Sequence, residues 1–295
     1  MKLLIGRDDL TEAALDGARR ADPGIEVEML TIRPVHHASK AFVNESAVDV
    51  CELAIVTMLQ AMAFDKEVAL LPVTTLGRYQ HQTLVTVKDL SVADIAGMTV
   101  GVRSFSQTTG VWVRGFLTSQ FGVELRSIDW VTYEDGHIAE YEDPSWVRRA
   151  PQESELPGDF LAGRVDFAIL GNDLPDDPRA HPAIADADAV GAQWSAERGF
   201  APINHVVGVS LAAAREHAET ICAVYDAMSA RLRDGRNGSG SIGMEPCGFR
   251  ELRGPFSQAA QFALEQEVLP RPVDFDEVIA RTCHALGVDA SRLGG

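Results

Sequence analysis

Between Val100 and Gly115 the chain passes from a short β-rich run, through a polar turn of Ser106, Gln107, Thr108 and Thr109, into an apolar segment carrying one arginine, Arg114. This order predicts a strand, a hydroxyl-rich turn and the start of a helix. The first N–H groups of a helix lack intrahelical partners, and with the positive end of its dipole they favour an anion. Arg114 adds a planar fork of donors that fits a carboxylate. The segment therefore points to a small organic acid as ligand.

The same alternation of strand-like and helix-like segments runs along the whole chain. Strands are expected over 2–6, 25–31, 47–51 and 69–73, and helices over 10–21, 216–233 and 275–286, with an apolar stretch at 53–63. Residues 89–102 and 156–170 each read as a short helix, a glycine break and a strand. Residues 127–132 and 202–209 supply further strands, the second leading back to the first lobe. The Asp/Pro-rich stretch 173–182 and the Gly/Ser-rich stretch 236–243 read as loops. Alternation of this kind predicts an α/β fold with mainly parallel sheets.

At 295 residues and 46% hydrophobic content, the chain is long enough for two lobes of ordinary domain size. We expect lobe 1 to comprise 1–88 with 206–295, and lobe 2 to comprise 89–205. A formal net charge of -17 argues against nucleic acid or an anionic membrane as partner, since no basic stripe offsets that field. An anionic ligand then needs a local positive pocket built largely from arginine, because lysine occurs only at Lys2, Lys40, Lys66 and Lys88. No run of about 18 apolar residues is present, so no membrane span is expected. The N-terminus reads as a strand and a turn rather than a secretory signal. Cys51, Cys222, Cys247 and Cys283 fit neither a zinc pattern nor a dense disulfide frame. Both features suggest the cytoplasm, with a periplasmic or lipid-anchored protein only if a signal peptide has been removed. Self-association is left open.

Several segments in order carry a family likeness: Val48 to Leu53, Leu71-Pro72-Val73 leading to His81, Gly97 to Val102, Thr108 to Gly115, Asp129-Trp130-Val131, Pro202 to Val207, and Pro246-Cys247-Gly248. In these the chain resembles the 4,5-dihydroxyphthalate decarboxylase family and, more broadly, the type 2 periplasmic-binding-protein-like superfamily. The likeness spans nearly the whole chain. It implies two α/β lobes joined by two crossings, with the ligand in the cleft between them, and a carboxy-lyase that uses no organic cofactor. Two departures stand out. Leu76-Gly77-Arg78-Tyr79-Gln80-His81 replaces the Ser-Arg-x-Phe-Arg-His pattern, and Ser104-Phe105 replaces an acidic and a tyrosyl residue.

The chemistry is expected from a small set of residues. Arg114, Thr108, Thr109 and Ser106 would clamp a carboxylate, with Arg78, Arg103 and Trp112 as further contacts and Asn204 orienting a hydroxyl or carboxylate. His81 and His205 are the acid–base candidates, because imidazole gives and takes a proton near neutrality. Glu52, at the end of a strand, would tune one of them. His137 and Glu140, three apart in an acidic segment, offer weak support for a divalent metal, against which a solvated loop is the simpler reading. Residues 237–243 lack the Gly-Lys-Ser/Thr ending of a phosphate loop, and no nucleophile elbow occurs. The leading expectation is a decarboxylase of hydroxylated aromatic carboxylates such as 4,5-dihydroxyphthalate. The alternative is a non-catalytic solute-binding protein or sensor for a small carboxylate, and a third is a dehydratase-type lyase on the same scaffold.

Overall fold

The computed structural model describes residues 1–30, 36–171, 174–235 and 243–295. The chain begins with β1 (Lys2–Leu4), α1 (Asp8–Ala21), β2 (Glu28–Met29), α2 (His36–Glu45), β3 (Val50–Ala54), α3 (Ile55–Ala63) and β4 (Val68–Gly77). It continues through β5 (Leu84–Thr86), β6 (Thr99–Val102), α4 (Thr108–Ser119), β7 (Asp129–Thr132), β8 (Val147–Arg149), α5 (Leu156–Leu161), β9 (Phe167–Ile169), β10 (His181–Pro182) and α6 (Ala187–Arg198). It ends with β11 (Ile203–Ser210), α7 (Leu211–Glu216), α8 (Ala218–Gly235), α9 (Phe249–Glu265) and α10 (Phe275–Leu286).

Two sheets result. The first has the order β2-β1-β3-β11-β4, and the second β10-β5-β9-β6-β7-β8. β1 runs parallel to β2 and β3, and β6 parallel to β7 and β9, while β11 lies antiparallel between β3 and β4. β5 belongs to the second sheet and β11 begins at Ile203 in the first. Both crossings therefore lie a few residues upstream of the expected boundaries at 88/89 and 205/206. The crossings bond to each other, Arg78 N–H donating to the Pro202 carbonyl at 3.2 Å.

Local sequence accounts for several of these elements. In α1 the buried residues Leu10, Ala14, Gly17 and Ala18 recur at helical spacing and face α8. In α10 the Asp274 carboxylate caps the N–H groups of Asp276 and Glu277, and Gly287 closes the helix at a φ of 64°. No element was expected over α9, which contains Gly254 and Pro255. Pro255 is nonetheless accommodated inside the helix, buried, and α9 packs against both α3 and α4. Its Phe262 ring lies flat on Gly115 of α4, in the space a side chain there would occupy.

Strand boundaries shift by a few residues from expectation, most clearly at β3, which starts at Val50 rather than 47. Of the expected loops, 236–242 and Asp173 lie outside the described residues, so the rejected phosphate loop is not described either. No described helix is long and apolar enough to cross a membrane.

Candidate functional site

A cavity of about 80 Å³ opens where α3 and α4 point their N-termini at each other. Ala54 and Thr57 line it from the start of α3, and Ser106, Gln107, Thr108 and Thr109 from the start of α4. Thr108 joins the two, its Oγ1 accepting a hydrogen bond from the Val56 N–H at 3.2 Å. Gln107 stands at the N-cap of α4 but makes no side-chain capping bond. Two positive helix ends thus converge on one small space, each worth about half a charge.

The arginines divide into two groups. Arg103 lines the cavity and pairs with Glu134 at 3.7 Å. Arg78 stands close by: a side chain added at Gly171 would meet Arg78 Nη2 at 2.7 Å and Thr109 Oγ1 at 4.0 Å. Arg114 does not reach the ligand space, contrary to expectation. Helical side chains lean toward the N-terminus, and this one runs back beneath the turn, fully buried. Its Nε donates to Gln266 Oε1 at 2.8 Å, its Nη2 donates to the Phe105 carbonyl, and the guanidinium lies 3.8 Å from the centroid of the Phe105 ring. Burial pushes its pKa down to about 9, so it remains a cation at neutral pH. It supports the turn from below. Trp112 is also buried, its indole N–H donating to the Ile203 carbonyl at 2.9 Å, and so anchors a crossing rather than a ligand.

The two expected acid–base histidines part company. His205 lines the cavity. Its strand shifts register between Ile203 and Val207, an irregularity of the kind that re-aims side chains, and sets His205 opposite Ala54. His205 Nδ1 lies 2.7 Å from Glu52 Oε1, and the Gly6 N–H donates to Glu52 Oε2 at 2.7 Å. Burial raises the Glu52 pKa, but the bond and charge of His205 and the Gly6 N–H outweigh it and hold the group below its ordinary value. A carboxylate there fixes the imidazole through Nδ1–H, leaving Nε2 for proton transfer. Asn204 also lines the cavity, with its Oδ1 accepting from Gln80 Nε2.

His81 is elsewhere. The chain leaves β4 and turns it inward, where its ring stacks on Phe116 at 4.0 Å and its Nε2 meets Gln120 Oε1 at 2.7 Å. Its solvent exposure is 0%. It packs the interior of the second lobe and takes no part in the cavity wall.

Neither does the metal pattern assemble. His137 and Glu140 lie on a non-helical strap between β7 and β8 that crosses to the first lobe, where each finds its own partner. His137 Nδ1 meets Thr57 Oγ1 at 2.8 Å, and Glu140 pairs with Lys66 at 2.7 Å. Among the described residues no group of three metal-binding side chains forms. His137 instead lines the cavity beside Thr57 and Glu134. Spacing along the chain carried no signal for that placement, because it depends on contacts 80 residues away.

No protein-family model matches the chain. The chain is 25% identical to a 4,5-dihydroxyphthalate decarboxylase of Comamonas testosteroni over 239 residues, 74% of this chain and 70% of that protein. A mutant of the desulfurization enzyme DSZB in complex with biphenyl-2-sulfinic acid superposes with a TM-score of 0.54 at 14% identity, covering 97% of this chain and 98% of that one. The MOPS-bound alkanesulfonate-binding protein SsuA of Xanthomonas axonopodis pv. citri gives 0.51 at 12%, covering 94% and 96%. The fold is that of a two-lobed type 2 periplasmic-binding protein. In such a fold the cavity between α3 and α4 is the cleft between lobes. In sequence the chain is similar to decarboxylases.

Proposed function

We propose that this protein is a carboxy-lyase for a hydroxylated aromatic dicarboxylate such as 4,5-dihydroxyphthalate. The observation that carries the reading is His205, held through Nδ1 by the buried Glu52 carboxylate, lining the same cavity as two helix N-termini and Arg103. An anion site alone supports binding, and a paired imidazole beside it supports proton transfer. The similarity to decarboxylases supports the reaction class, and an aromatic acid held on the same fold in DSZB supports an arene in the cleft.

In this mechanism the retained carboxylate takes N–H groups and hydroxyls from Ser106 to Thr109, with Arg103 and Arg78 supplying charge. Loss of CO₂ directly from the ring would leave an aryl carbanion, so protonation of the carbon bearing the departing group comes first. A base removes the proton of the hydroxyl para to that carbon. The electron pair moves into the ring, His205, protonated on both ring nitrogens and held by the Glu52 carboxylate, delivers its Nε2 proton to the ring carbon, and the carbon–carboxylate bond then breaks. Its electrons restore the aromatic ring and CO₂ departs. Acid–base help of this kind is worth about 10²–10⁴-fold. Closure of the cleft excludes water.

Incubation with 4,5-dihydroxyphthalate, followed by trapped CO₂ and chromatography of 3,4-dihydroxybenzoate, tests the proposal. Turnover should fall at least 100-fold in His205→Asn while phthalate still binds. Tight binding of phthalate by the wild type with no CO₂ would refute it and leave the solute-binding reading that the SsuA-like fold favours.

A further inference from the structure

The reaction just described needs two proton-handling groups at opposite edges of a ring, and only one expected histidine reaches the cavity. We infer that His137 is the second acid–base residue of the cavity, delivered to it by the strap that crosses from the second lobe to the first. This inference rests on the decarboxylase reading.

Three observations carry it. First, His137 lines the cavity, as does His205, and the two come from opposite lobes. Second, each ring has its Nδ1 tied to a side chain of the first lobe, Thr57 for one and Glu52 for the other, both at functional hydrogen-bond distances of 2.8 and 2.7 Å. With Nδ1–H assigned as the donor to Thr57 Oγ1, Nε2 is the atom that accepts the phenolic proton. Third, the strap is built to hold that ring in one place. Asn44 donates to the His137 carbonyl at 2.8 Å and accepts from the Ala139 N–H at 3.3 Å, so the backbone on both sides of Ile138 is fixed to α2. The Lys66–Glu140 pair fastens the next turn.

Gly136 sets the height of the strap. A Cβ there would stand 2.9 Å from Ser106 Oγ and 2.8 Å from Tyr141 Cδ1, so only glycine lets the backbone lie on the turn at the start of α4. The carboxylates nearby are poorer bases for the step, because Glu134 faces Arg103 and Asp135 pairs with Arg149. Each bond of the strap to Asn44, Thr57 and Lys66 joins one lobe to the other. His137 therefore holds its position through bonds that tie the two lobes together.

His137→Ala and Thr57→Val test the inference in the full-length protein. For His137→Ala we expect kcat for 4,5-dihydroxyphthalate to fall at least 100-fold, phthalate affinity to stay within threefold, and added imidazole to restore part of the rate. For Thr57→Val, which frees Nδ1 but keeps the ring, kcat should fall about tenfold. A kcat within threefold of wild type in His137→Ala, or a loss that imidazole leaves untouched, overturns the inference. The His137 ring proton in a wild-type NMR titration with phthalate separates this from the parent reading. If the wild type releases no CO₂, the decarboxylase reading fails, and a His137 signal that moves with phthalate still supports its place at the ligand. A signal that stays put overturns the inference whatever the turnover.

Discussion

Glu52→Gln is the substitution on which the proposed chemistry can be judged most closely, because it removes one charge and almost no volume. The carboxylate is 5% exposed and accepts two bonds, one from His205 Nδ1 and one from the Gly6 N–H, both at 2.7 Å. An amide has one oxygen for these two donors. If the oxygen faces Gly6, the amide NH₂ faces His205 Nδ1, which must become an acceptor. Nδ1 then carries no proton, so the ring is no longer held as the imidazolium that gives up its Nε2 proton. If the oxygen faces His205, the Gly6 N–H opposes an NH₂ group and is left unsatisfied. An unsatisfied buried donor costs about 1–3 kcal/mol, which for a chain of this size corresponds to a drop of roughly 2–6 °C in Tm. Turnover of 4,5-dihydroxyphthalate should fall by about 10²–10⁴-fold, the worth of acid–base help from a correctly held group. The acid limb supplies a second readout. A carboxylate whose folded pKa lies below its unfolded value stabilises the fold above the unfolded pKa of about 4.3 and loses that contribution as pH falls through the folded pKa. The stability gap between wild type and Glu52→Gln should therefore narrow below about pH 4. Calorimetry and trapped CO₂ measure both effects. A variant with wild-type Tm and kcat within threefold would show that the pair neither holds the ring nor serves the reaction.

Two further substitutions separate structure from chemistry. Burial lowers the pKa of His81 more than its bond to Gln120 raises it, so the unfolded chain binds more protons below the ordinary value of about 6.5. Stability should be full above that pH and decline as pH falls toward the folded pKa. In His81→Gln the Tm–pH slope between pH 6.5 and 5 should flatten, and an unchanged slope would mean that His81 is not the group being titrated. In Arg114→Met the Phe105 carbonyl and Gln266 Oε1 lose their charged donor, while the cost of a buried cation disappears. We expect a modest change in Tm and about tenfold weaker phthalate binding by calorimetry, and unchanged affinity would mean that Arg114 does not support the anion site.

The strand–turn–helix unit was legible because its signal is local. β6, the Ser/Thr turn and α4 fall where the residue types predict, with the helix starting at Thr108. The direction of Arg114 was not legible. All ten residues from Thr108 to Leu117 are buried, so α4 has no polar face from which a ligand side could be read. His81 and His205 looked alike because each follows or joins a strand near a crossing. A short turn after β4 carries one into the aromatic packing around Phe116, whereas the irregular register of β11 points the other at the cavity. His137 drew notice for metal chemistry on the strength of its acidic neighbours, but its surroundings are Thr57 and Asn44, which only the fold brings near. α9 was not placed from the sequence, and its last turn leads to Gln266, whose Nε2 donates to the Val111 carbonyl and whose Oε1 accepts from Arg114.

The anion site itself is mostly backbone. In the proposed reading, two helix N-termini and the hydroxyls of Ser106, Thr108 and Thr109 would hold negative charge inside a chain of net charge -17. Such a site is equally suited to a sulfonate, a sulfinate or a carboxylate, and by itself it stabilises the acid group in its bound state. Interactions that hold ground state and transition state equally do not speed a reaction. A decarboxylase on this scaffold must therefore place its departing carboxylate away from the helix ends, and use them for a group that stays. That requirement favours a substrate with two acid groups, one held at Ser106 to Thr109 and one leaving beside an imidazole. A monocarboxylate would be gripped through the only group it could lose, and would sit in the cleft unreacted. The difference between a binding protein and an enzyme of this fold then lies less in affinity than in where the second acid group is put.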